Sequence, residues 1–140
     1  MSTVPESLSS RRGPLVVAGG VLAAVLLSSL ANALIAVLAH AVGAPEDFQP
    51  LEPSAYVPLT TLGVLAGSAG WALVRRFSPD PERLLGRLVP SVVVLSFVPD
   101  FFQFGKGEVT GVVALLLMHV VVAVIAVPTY RRVMPLSPTR

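Results

Sequence analysis

The run "ALLLMHVVVAVIAV", residues 114–127, is apolar throughout except for His119. An imidazole can bind a proton near neutral pH, ligate a metal or hydrogen-bond a polar ligand. Few other residues in the apolar parts of the chain could do chemistry. His40 stands near the end of a first apolar block, Asn32 and Ser28 lie within that block, and Ser68 and Ser96 occupy the next two. Asp100 is the one acidic residue inside an apolar block, directly after Pro99. With no cysteines, disulfides, thiolate metal sites and thiol nucleophiles are excluded. No HExxH, GxSxG or P-loop pattern occurs, nor a pair of acids spaced for hydrolysis. Met118 and His119 project about 100° apart on a helix and do not share a metal. His40 and His119 differ in expected depth by roughly 12 Å, too far to share a haem. The expectation is therefore no enzyme activity, no cofactor and no metal.

What positions these groups is a lipid-spanning frame. Of 140 residues, 54% are hydrophobic and only 13% charged, and mean hydropathy is +0.78. Soluble domains carry about 25% charged residues, and one this small cannot bury so much apolar side chain. The apolar residues fall in four blocks, about 15–42, 56–75, 84–104 and 109–128. A bilayer's hydrocarbon core needs roughly 20 helical residues to cross, and backbone groups there must be satisfied within each segment. The predicted fold class is all-α: an antiparallel bundle of four transmembrane helices over 15–130, with tails at 1–14 and 131–140. "SRRGPL" (10–15) faintly resembles an export signal and "ANA" (31–33) a cleavage site. The first apolar block far exceeds an export segment's 7–15 residues, so its retention is expected.

The connections carry their own signals. In "RRFSPDPERLLGR" (75–87), Asp80 is placed as an N-cap with Pro81 at the first helical position. Pro99 lacks an amide hydrogen, so "SFVPDFF" reads as a bent or broken helix end with a solvated Asp100. Nine of the ten basic residues (Arg11, Arg12, Arg75, Arg76, Arg83, Arg87, Arg131, Arg132 and Arg140) fall on one side of the four blocks, and only Lys106 on the other. By the positive-inside rule both termini are cytoplasmic, in the plasma membrane. The pI near 9.7 thus reflects topology, and no nucleic-acid partner is expected. Aromatics gather at both expected interfaces: Phe48, Tyr56, Phe101, Phe102 and Phe104 outside, Trp71, Phe77 and Tyr130 inside.

Helices in lipid associate through small residues and a few hydrogen bonds. The first block carries Gly20, Ala24, Ser28, Asn32, Ala36 and His40 at four-residue spacing. The second carries the GxxxG of Gly63 and Gly67, then Gly70. Both stripes are read as packing within the monomer, with a homodimer or another membrane protein as the remaining partner besides lipid. Counting about 1.5 Å per residue from the outer ends places Asn32, Ser68, Ser96 and His119 in one layer near the midplane. His40, Thr60, Thr61 and Asp100 form a second, outer layer by the same count. His119 is expected to face inward, close to Asn32.

"LSFVPDFF" in the third block and "ALLLMHVVVAVIAVP" in the fourth resemble a family of small uncharacterised bacterial four-helix integral membrane proteins, a domain of unknown function. The matching elements are Ser96 and Pro99, and the segment Leu116 to Ala123. Asp100 stands where that pattern accepts a second proline or an apolar residue about as often. The resemblance implies a class and no mechanism. The expected function is a non-enzymatic accessory or structural membrane component. The alternative is a small dimeric transporter or proton-coupled carrier with its polar layer around His119. Small carriers of that type commonly place an acid at mid-membrane in the first helix, and here that helix offers Asn32.

Overall fold

The structure, a computed structural model, describes residues 13–106 and 108–136. Arg11, Arg12 and Arg140 lie outside the described residues, as do residues 1–12 and 137–140 of the two tails. The described chain is helical, without strands: α1 (Pro14–Ala41), a 3-10 turn (Gln49–Leu51), α2 (Pro53–Phe77), α3 (Pro81–Ser96), the single turn α4 (Val98–Phe101) and α5 (Glu108–Val133). Four spans, counting α3 and α4 as one, are long and apolar enough to cross a membrane.

Local chemistry sets most of the ends. Prolines open α1, α2 and α3, where the missing amide hydrogen is not needed. Asp80 caps α3 as its sequence position suggests, its carboxylate accepting from the Arg83 amide at 3.1 Å. Gly43, at φ +107°, lets the chain turn off α1 so that the Ala44 amide reaches the Ala39 carbonyl at 2.8 Å. Pro58 and Pro128 lie inside helices without ending them, so α2 and α5 run past the expected boundaries.

α1 packs most extensively against α5 and next against α2, while α3 touches α2 and α5 more sparingly. The small-residue stripe of α1 forms the main seam: Ala24 and Ser28 are fully buried, and Asn32 and Ala36 nearly so. Gly20 begins the stripe where a Cβ would come within 2.5 Å of Val133 Cγ1. The seam closes over two apolar cores. Val21, Ala24, Val64, Trp71, Leu85, Ala126 and Tyr130 build the one nearer the arginine-rich end. Ala36, Phe48, Leu51, Tyr56, Leu115 and Met118 build the other, so the loop after α1 folds back as a lid over the bundle. Large side chains such as Leu30, Leu34, Leu62, Leu95 and Val124 point outward, as lipid requires.

Two expectations need correction. Phe48, Tyr56, Trp71 and Tyr130 are buried core side chains, so the interfacial aromatics are only the exposed Phe77, Phe101, Phe102 and Phe104. The polar ends of the inner pair are satisfied indoors: Tyr130 donates to the Val64 carbonyl at 2.5 Å, and Trp71 Nε1 donates to the Met134 carbonyl at 3.1 Å. The GxxxG is likewise not a helix seam. Gly63 and Gly70 face open space, and only Gly67 meets a neighbour, with a Cβ there 3.1 Å from the Tyr130 hydroxyl. A glycine pair makes a seam only if a backbone lies opposite, and here Tyr130 reaches across in place of one.

Candidate functional site

The break after α3 creates the most polar feature inside the bundle. α3 stops at Ser96, Phe97 takes a turn, and Pro99 sits in the first turn of α4, where its missing donor costs nothing. This brings Asp100 onto α5. Asp100 is 7% exposed, so it is buried rather than solvated, contrary to its reading as a helix-end carboxylate. Its Oδ2 lies 3.1 Å from His119 Nδ1. The same nitrogen lies 2.9 Å from the Leu115 carbonyl, one turn back on α5.

Two oxygens around Nδ1 assign the proton there, because a lone pair would face two acceptors. The hydrogen aligns on the Leu115 carbonyl, and Asp100 Oδ2 receives no well-aligned hydrogen bond. The carboxyl therefore lies beside the ring without a hydrogen bond from it. The imidazole side chain as a whole is about a third exposed. The Phe97 ring meets the imidazole edge-on, centroids 6.1 Å apart, and fixes its tilt. An imidazole and a carboxyl in this arrangement can share and pass a proton. Among the described residues no three His, Cys, Asp or Glu side chains gather to hold a metal.

The second polar feature lies in the α1 seam. Asn32 Nδ2 donates to Thr60 Oγ1 at 2.9 Å, joining α1 to α2 in a buried bond. Asn32 Oδ1 and the hydroxyls of Ser28 and Ser29 have no partner among the described residues. A serine hydroxyl on a helix can turn to a carbonyl of the preceding turn, which relieves part of that cost.

The two layers read from the sequence thus exchange members. Asn32, Ser68, Ser96 and His119 share no hydrogen bond with one another: Asn32 takes Thr60, and His119 lies against Asp100. Ser68 and Ser96 each bond a carbonyl of their own helix, Leu65 and Val93. In the outer layer, Thr61 bonds the Val57 carbonyl and His40 Nδ1 lies 3.3 Å from the Ala44 carbonyl. The depth count failed because it assumed level helix ends. His119 lies eleven residues into α5, about 16 Å along it, whereas Asp100 is one residue from the end of α4. The end of α4 therefore sits well below the start of α5, and the turns of residues 102–106 climb toward it. Pro99 signalled the break, but no sequence feature gave its depth.

A protein-family model described as a family of unknown function (DUF6069) matches residues 11–135. Comparison with curated proteins and with solved structures gave no match.

Proposed function

The chain belongs to this family of unknown function, and we propose that it acts as a non-enzymatic accessory or structural component of the plasma membrane, with both termini cytoplasmic. The observation that carries this reading is the closed α1–α5 seam. Ala24, Ser28 and Val112 are 0% exposed, and apolar cores fill the bundle on both sides of Asn32. A seam packed this tightly suits a fixed framework better than a passage, because packed interiors deform little. The outward faces, rich in exposed leucine and valine, offer surface to lipid and to other membrane proteins.

A second reading rests on one observation, the Asp100–His119 contact at 3.1 Å. Ionisable residues in a span are functional-site hypotheses by default. In this reading the chain is a small proton-coupled carrier, acting as a dimer, and the pair holds the transported proton.

One experiment separates the two. Proteoliposomes enclosing a pH-sensitive dye are given a proton gradient. A framework protein is expected to dissipate it no faster than empty liposomes. Faster dissipation that disappears in Asp100→Asn would overturn the first reading and support the second.

A further inference from the structure

α3 differs from the other spans. Only Pro81 and Leu85 along it are buried, and its outward side is not uniformly apolar. Arg83, Arg87 and Ser91 follow one another at four-residue spacing, and all three are exposed. The other arginines at this end include two that are engaged: Arg131 lies 3.3 Å from Glu82 and over the Trp71 ring, and Arg76 lies over Phe77. Arg83 and Arg87 have no acidic side chain within ion-pair distance among the described residues. Arg87 is the seventh residue of its helix, about 9 Å along from Pro81.

Helical side chains lean toward the N-terminus, so both guanidinium groups reach back toward the arginine-rich membrane surface. Residues four apart stand about 6 Å from one another, a spacing at which two guanidinium groups can close on one phosphate. Beside them runs a strip made by Gly86, Pro90 and Val94, again four apart and exposed. A Cβ at Gly86 would meet nothing within 4 Å, so the helix surface is open there. The strip runs along α3 away from the arginine-rich end.

We infer that this face of α3 binds an anionic glycerophospholipid, its phosphate held by Arg83 and Arg87 and an acyl chain lying along Gly86, Pro90 and Val94. The inference rests on the chain spanning a membrane, and it is independent of what the Asp100–His119 pair does. The face is ordered to complement the ligand: cationic side chains toward the arginine-rich end, apolar strip beyond them. A cation that snorkels from an apolar helix face into the headgroup layer meets lipid phosphate before any other anion. A free phosphate would use the arginines and leave the apolar strip untouched.

The test uses the full chain in vesicles of phosphatidylcholine containing a minor fraction of phosphatidylglycerol. The protein is extracted in mild detergent, and the lipid retained with it is measured by mass spectrometry. Enrichment of phosphatidylglycerol over its bulk fraction is expected. Arg83→Gln and Arg87→Gln should each weaken that preference about fivefold, as expected for one basic residue at a charged membrane surface. The control Arg75→Gln/Arg76→Gln should keep most of it. Three outcomes overturn the assignment: no enrichment in the wild-type chain, equal loss in the control variant, or displacement of the lipid by inorganic phosphate. A chain that fails to enter the vesicles at all would instead overturn the membrane reading.

Discussion

The Asp100–His119 pair places two ionisable groups where hydrocarbon would penalise either one alone. Their energetic relationship can be measured directly. His119→Leu leaves the carboxyl buried without its imidazole and is expected to lower stability in detergent by about 1–3 kcal/mol. Removing both partners with Asp100→Leu/His119→Leu should recover much of that loss, because no orphaned polar group remains. Thermal unfolding of the two single variants and the double variant completes the cycle. Simple additivity would show that the two side chains do not interact. The Asn32–Thr60 bond shares no hydrogen bond with this pair, so Asn32→Leu should cost a separate amount, about 1 kcal/mol, that adds to the effect of His119→Leu. At this scale the sequence singled out polar residues within the spans but not how they pair. Residue type and apolar surroundings singled out Asn32, Asp100 and His119. Pairing depends on where each helix starts in depth, and one broken helix displaces that by more than two turns.

Among the helices, α1 was the most legible. Its stripe from Gly20 to Ala36 repeats small residues every four positions, and that face is the one buried. The glycines of α2 misled because glycine spacing permits close approach without supplying a neighbour. The contrast predicts opposite responses to the same substitution. Gly20→Ala puts a methyl 2.5 Å from Val133 Cγ1 and is expected to destabilise by about 1–3 kcal/mol. Gly63→Ala meets open space and should be neutral or slightly stabilising, since alanine favours helix by about 1 kcal/mol over glycine. Melting temperatures of the two variants in the same detergent check this. A large loss in Gly63→Ala would mean that its face is covered by a second copy of the chain.

For the whole molecule, four spans were readable because each exceeds the length a bilayer demands, whatever its detailed packing. The asymmetry of arginine predicts orientation. A reporter fused after Arg140 is expected to show a cytoplasmic location, and one inserted at Gln49 an external location. The reverse pattern would invert the topology and move the α3 lipid face to the other leaflet.

The principal seam joins the first span to the last. Spans enter the bilayer in order of synthesis, so α1 must reside in lipid while α2, α3 and the turn of α4 are still being made. During that interval Ser28 and Asn32 lack the covering that α5 later provides, although α2 can already offer Thr60. Completion of the final span is therefore the event that closes the bundle. A chain cut short before Glu108 keeps three helices able to insert, yet displays to lipid the polar face that the finished protein hides. Such a fragment carries its own mark of incompleteness, legible to any membrane quality-control protease that senses exposed polar groups within a span.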